Sequence, residues 1–341
     1  WRIAKALTRQ DCRQRDDFNL PNFGGGYEGV LYDTHIHIPH VPERPLSNFS
    51  SSPVLGGNIT LGDYVCTFQI EGTAKVFAFF PVFKDFEQVH TGIVQSALKE
   101  YPGLFVPFIM PPDSDDKADG FPTVSADVLT KMLSYYPGLF RGYGEIGLYA
   151  RGDHGGPKGS LALPPDSARL QDIYPIVRKN KLLVYFHLGE GQQESFERAL
   201  TANPDINFIF HGDQLVVYEQ GGQNLKALDE ILARHNNAYY GVDELYGDTW
   251  LLRPNVSKEK FFAHFKNYEA LLEKDVITWK AFIERHPKQV IWGTDRGVTN
   301  SWSMDPDVGL VLTTYARAFI ARFDSEVQED FAYKNAERLL Q

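Results

Sequence analysis

His35 and His37 stand two residues apart in the run GVLYDTHIH. In an extended strand side chains alternate between faces, so the two imidazoles point the same way and suit two nitrogen ligands on one cation. Ten histidines in 341 residues make such a pair weak evidence by itself. The signal grows because four other apolar runs also end in a ligand-type residue: Glu145 in GYGEIGL, His187 in LVYFHLG, His211 in FIFHGD and Asp295 in VIWGTDRG. Each alone has an ordinary reading, as a hydrogen-bonded core histidine, a salt-bridged acid or a loop-bracing acid. A carboxylate or imidazole at the end of an apolar strand is costly unless paired, hydrogen-bonded or metal-bound. Six such residues from five strands point jointly to a metal site.

Nitrogen and carboxylate donors without thiolate suit Zn²⁺ first, and also Mn²⁺, Fe²⁺ or Ni²⁺. Four imidazoles and two acids accommodate one ion with spare groups for proton transfer. They equally accommodate two ions roughly 3.5 to 4 Å apart, bridged by Glu145 and a hydroxide. A bound water would have its pKa lowered toward about 7, and Asp295 is the group expected to accept its proton and pass it to the leaving group.

The elements that must position these residues recur along the chain. Eight short runs rich in β-branched and aromatic residues end near His37, Val82, Met110, Glu145, His187, His211, Asp243 and Asp295, separated by helical patterns. That alternation predicts an α/β fold with parallel strands, and eight units predict a (β/α)8 TIM barrel. A doubly wound open sheet is disfavoured because no Gly-rich turn follows the first run. Helices are expected over 86–101, 166–180, 224–236, 258–286 (as two), 302–322 and 330–340. Residues 1–29 read as an N-terminal extension too short for its own core, and 30–341 as one barrel domain.

The longest loops, 39–58, 151–165 and 246–256, all follow strand C-terminal ends and so belong on the active-site rim of a barrel. In them Arg151, His154 and Lys158 are candidates for a substrate carboxylate or phosphate. Asp243, with Glu244, is expected either to bind a substrate hydroxyl or amine or to form a structural ion pair. Arg296 is expected to brace Asp295.

With 43% hydrophobic and 23% charged residues the chain is globular, and 44 acids against 34 bases give a net charge of −10. No basic run offsets the acidity, so no nucleic-acid partner is expected. The apolar stretches are strand-length, well below the roughly 20 residues of a membrane helix. Two cysteines, Cys12 and Cys66, make neither a disulfide framework nor a metal-type pair. The expected partner is a small-molecule substrate, and a homo-oligomer is compatible with the composition. The chain begins at Trp1, so its location is expected to be cytoplasmic or, if a signal sequence precedes Trp1, periplasmic or secreted.

The set Asp33-Thr34-His35-Ile36-His37, His187, His211-Gly212 and Gly293-Thr294-Asp295 resembles the amidohydrolase superfamily of metal-dependent barrel hydrolases. Tyr101-Pro102-Gly103-Leu104-Phe105 leading into Pro107, Pro204-Asp205, and Asn335-Ala336-Glu337-Arg338-Leu339 are similar to its amidohydrolase-related branch. The resemblance runs from Val30 to the C-terminus. It implies a divalent metal held by His35, His37, His187 and Asp295, with His211 binding a second metal or orienting substrate, and hydrolysis or sometimes decarboxylation of small molecules. The segment Gly144-Glu145-Ile146-Gly147-Leu148 instead resembles the TatD-like nucleases, where this Glu is a ligand. The expected activity is metal-dependent hydrolysis of a small-molecule amide, lactone or ester. The alternatives are a TatD-like phosphoester hydrolase on two metals and a non-catalytic metal-binding barrel.

Overall fold

The computed structural model describes residues 23–38, 61–82, 87–111, 122–149, 162–212, 217–219, 222–243, 245–248, 251, 256–297 and 301–341. Ten strands lie among them: β1 (Tyr32–His37), β2 (Lys75–Pro81), β3 (Phe105–Met110), β4 (Gly142–Gly147), β5 (Leu183–His187), β6 (Phe208–His211), β7 (Val217–Glu219), β8 (Gly222–Asn224), β9 (Ala238–Val242) and β10 (Val290–Trp292). Eight form one sheet in the order β1-β2-β3-β4-β5-β6-β9-β10, with helices on the crossovers, which is the (β/α)8 TIM-barrel fold expected from the eight apolar runs. The runs read as nearly unbroken hydrophobic segments because parallel strands are covered on both faces. All five residues of β5, LVYFH, are buried.

The expected helix ranges leave out Leu61–Glu71, Ala126–Tyr135 and Gln193–Ala202, and the strand pattern leaves out a hairpin. A small antiparallel hairpin, β7 and β8, occupies part of the crossover after β6, so Asn224 belongs to a strand and the following helix starts at Lys226. The amino-acid order offers Gly221 as a local signal for it, since glycine is favoured in tight hairpin turns. Among the described residues no helix is long and apolar enough to cross a membrane.

The described chain forms two compact units. The described residues of the first lie within Trp1–Ala78, Ser96–Phe105 and Val242–Arg338, and those of the second within Phe79–Gln95, Val106–Gly241 and Leu339–Gln341. In the first unit β10 closes onto β1. Ile36 bridges Arg296 in parallel, His37 N donates to Arg296 O at 2.8 Å, and Thr34 Oγ1 donates to Trp292 O at 2.7 Å.

This seam is held by a buried charge network. Arg296 is wholly enclosed, and its Nη1 and Nη2 donate to the two carboxylate oxygens of Glu71 at 2.9 and 2.8 Å. Its Nη2 also approaches Asp33 Oδ2 at 3.4 Å, and Nε donates to Thr294 Oγ1 at 2.9 Å. Thr294 Oγ1 donates in turn to Asp33 Oδ2 at 2.6 Å, while Thr73 Oγ1 donates to Glu71 Oε1 at 2.7 Å. Arg296 therefore braces Asp33 and Glu71 rather than Asp295, because a buried guanidinium needs the acids that are buried with it. Gly309 leaves the space: a Cβ there would lie 1.8 Å from Glu71 Oε2.

A further buried acid, Asp275, caps the chain after β9. It accepts from Tyr246 N at 2.7 Å, Gly247 N at 3.0 Å and the Tyr315 hydroxyl at 2.6 Å. Tyr246 and Gly247 are both in the left-handed region (φ 76° and 75°), a turn that leaves their N–H groups pointing inward for an acceptor. Burial outweighs these donors and pushes the Asp275 carboxyl up to about 6.

Two measurements of urea-induced unfolding check this account. Arg296→Met, which leaves two buried carboxylates without their guanidinium, is expected to cost about 3–5 kcal/mol. Arg178→Ala, at an exposed pair with Asp205, is expected to cost no more than about 1 kcal/mol. The folded state holds the Asp275 proton more tightly than the unfolded chain does, so this group's contribution is fully present below pH 4 and is lost as pH rises through 6. The stability of wild type relative to Asp275→Asn is expected to fall by about 2 kcal/mol between pH 4 and pH 6.5, and a difference independent of pH contradicts the assignment.

Candidate metal centre

In the first unit, β1 alternates so that Asp33, His35 and His37 share one face. Asp33 anchors the backbone beside the histidines by accepting from His35 N at 3.1 Å and Thr294 N at 3.0 Å. His35 Nε2 lies 3.2 Å from His37 Nε2, and Asp295 Oδ1 lies 3.3 Å from the first and 3.0 Å from the second. His35 and His37 are buried, whereas the Asp295 side chain keeps 28% exposure. Strand β10 stops at Trp292, three residues short of the strand end expected near Asp295. Asp295 instead sits in a left-handed conformation (φ 51°), which costs a non-glycine residue about 1–3 kcal/mol unless its surroundings hold it. Its neighbours Thr294 and Arg296 are both tied into the buried charge network, and so supply that hold. Gly293 lets β10 approach, since a Cβ there would lie 2.6 Å from His35 Cβ.

Asp243, one residue past β9, brings Oδ2 to 3.5 Å from His35 Nδ1, and its side chain is 9% exposed.

The second unit carries the other three expected ligands. Strands β5 and β6 pair in parallel with His187 directly beside His211, which sets the two imidazoles one inter-strand spacing apart. Their ring centroids are 4.4 Å apart. Glu145 Oε1 reaches both, at 3.0 Å from His187 Nδ1 and 2.7 Å from His211 Nε2. It does so from a bulge. Tyr143 pairs with Val184 and Ile146 with Phe186, so three steps on β4 match two on β5. The extra residue re-aims the side chain, as bulges near sites commonly do. Gly144 makes this possible, with φ 138° and only 2.3 Å from its Cβ position to Tyr185 O.

Two residues that the sequence reading did not single out brace this cluster. Gln192 accepts from Gly189 N at 2.7 Å and donates to Leu148 O at 2.9 Å, joining the segments just beyond Glu145 and His187. Tyr149 packs edge-on to the His187 ring at 4.7 Å. Neither residue type carries a sequence signal for such a role. Asp33 does, because it lies two positions before His35 on the same strand face. Arg151, His154, Lys158 and Glu244 lie outside the described residues, as do most of the three long loops.

Each triad gathers donor atoms within 4.8 Å of one another. The set is imidazole and carboxylate with no thiolate. Two imidazole nitrogens and a carboxylate oxygen at about 3 Å share space comfortably around a divalent cation, so the residues fit a hard-to-borderline metal ion.

A family model described as Amidohydrolase matches residues 152–341, a span that includes His187, His211, Asp243 and Asp295. No curated protein sequence matches the chain. Among solved structures, an amidohydrolase from Burkholderia multivorans with bound zinc superposes with a TM-score of 0.55 at 10% identity, covering 91% of this chain and 99% of that one. A protein assigned as a 2-pyrone-4,6-dicarboxylic acid hydrolase from Pseudomonas putida gives 0.54 at 16% identity, with 91% and 97% covered. A dihydroxybenzoic acid decarboxylase from Polaromonas with bound manganese gives 0.51 at 10% identity, with 92% and 97% covered. At these identities the likeness is one of fold.

Gly144→Ala probes the bulge directly. The added methyl collides with the Tyr185 carbonyl and is strained at that φ, so Glu145 is expected to lose its aim at both histidines. The expected result is a loss of about 2–4 kcal/mol in stability together with weaker retention of divalent metal on dialysis. Unchanged metal retention contradicts the role given to Glu145.

Proposed function

We propose, for a chain that belongs to the amidohydrolase family, that it hydrolyses the carbonyl of a small-molecule amide, lactone or ester with a divalent cation, zinc in first place, held by His35, His37 and Asp295. The observation that carries this reading is the convergence of two imidazole nitrogens and one carboxylate oxygen within 3.3 Å at the C-terminal ends of their strands, where barrel active sites are built. When bound, the cation supplies Lewis acidity and a water whose pKa falls toward about 7. The partly exposed carboxylate of Asp295 is the group that would accept a proton from the attacking water and return it to the leaving group, as general base and then general acid. His35 and His37, both buried, would serve as ligands through imidazole nitrogens.

Glu145, His187 and His211 are proposed as further ligands, with His211 alternatively orienting the substrate carbonyl. Arg151 is proposed to bind a substrate carboxylate. The presence of a second compact donor triad favours one alternative, phosphoester hydrolysis on two ions.

Elemental analysis of purified protein is expected to find one or two divalent ions per chain, and chelation is expected to abolish activity that added Zn²⁺ or Mn²⁺ restores. Asp295→Asn is expected to lower turnover by about 10²–10⁴-fold while the thermal midpoint stays near wild type. A panel of amide, lactone, ester, phosphodiester and aromatic carboxylic acid substrates separates the readings. Phosphodiester cleavage replaces the first by the second, and release of CO₂ from the carboxylic acid replaces hydrolysis by decarboxylation. Absence of retained metal, with no restoration on adding it, removes both hydrolytic readings.

A further inference from the structure

We infer that Asp243 is a positioning residue that holds the His35 imidazole in the tautomer and orientation needed of a metal ligand, and that it does not contact the substrate. The inference rests on the metal reading of His35. Its geometric basis is the opposition of the two ring nitrogens. Nε2 of His35 faces His37 Nε2 and Asp295 Oδ1 at 3.2 and 3.3 Å, while Nδ1 on the other side of the ring faces Asp243 Oδ2 at 3.5 Å. A neutral imidazole carries one proton. If Nε2 is to present its lone pair to a cation, the proton must reside on Nδ1, where a carboxylate rewards it. Such outer carboxylates fix ring orientation and raise the basicity of the ligating nitrogen.

Asp243 is built to stay where it is. The backbone just before it is pinned by Gly293 N donating to Val242 O at 3.2 Å. The turn just after it is pinned by Asp275, which receives Tyr246 N and Gly247 N, and by Lys274 Nζ donating to Gly247 O at 2.8 Å. A carboxylate meant to follow a substrate would gain nothing from a backbone clamped on both sides. With its side chain 9% exposed against a wholly buried His35, Asp243 has little surface to offer a ligand from solvent.

The test compares Zn²⁺ affinity, measured by competition with a chromophoric chelator, for wild type, Asp243→Asn and Asp243→Ala. The dissociation constant is expected to rise about 10-fold for the Asn variant and up to about 100-fold for Ala, with the thermal midpoint of the metal-free proteins unchanged. The visible spectrum of the Co²⁺-loaded Asn variant is expected to differ from that of wild type, which a purely structural role would not produce. Nitrogen-15 NMR of the metal-free wild type, which needs no variant, is expected to show His35 protonated on Nδ1. Equal Zn²⁺ affinity for wild type and Asp243→Asn, or a His35 proton on Nε2, overturns the inference and leaves the metal reading standing. A wild-type protein that binds no Zn²⁺ overturns the metal reading, and this inference falls with it.

Discussion

A guanidinium enclosed away from bulk solvent must be matched by carboxylates enclosed with it, and the Arg296–Glu71–Asp33 network meets that requirement where β10 closes onto β1. Breaking one partner of such a group leaves an uncompensated charge, so the group tolerates few alternative arrangements of the strands that carry it. Two acids share one guanidinium, and burial pushes Asp33 up to about 6 despite the pull of Arg296. The hydroxyls of Thr73 and Thr294 and the backbone N–H groups of His35 and Thr294 supply further donors. Charge pairing here acts less as a source of net stability than as a lock on register.

The consequences reach the donor atoms in short steps. Asp33 precedes His35 by two residues and shares its strand face, and Arg296 follows Asp295 directly. Fastening Asp33 to Arg296 therefore fixes the two histidines and the acid against one another, and it holds Asp295 in a backbone conformation that it would not adopt alone. The second triad is positioned differently. Parallel register sets His187 beside His211, and a bulge turns Glu145 onto both. Beneath them Tyr185 meets the His211 ring at 5.5 Å and Phe79 at 4.9 Å, so the imidazoles rest on packed aromatic core.

Much of this was legible in the amino-acid order. The eight strands were visible because parallel strands buried on both faces must be long apolar runs. His35, His37, His187 and His211 were visible because polar residues ending such runs are expensive unless used. Arg296 was read correctly as a brace but given the wrong partner: its neighbour in sequence is Asp295, whereas the acids buried with it are 225 and 263 residues away. Sequence proximity cannot rank partners whose pairing depends on which groups lose water together.

The order of residues by itself determined the alternation of strands and helices and which imidazoles and carboxylates end the apolar runs, since these follow from local hydrophobicity, side-chain period and residue type. Only the tertiary structure decided how each donor is aimed. The extra residue in β4, the left-handed turn at Asp295 and the carboxylate behind His35 arise from contacts between strands distant in the chain. Local preference opposes the Asp295 turn and is silent on the other two, because the energy that holds them resides in neighbours that folding alone brings close.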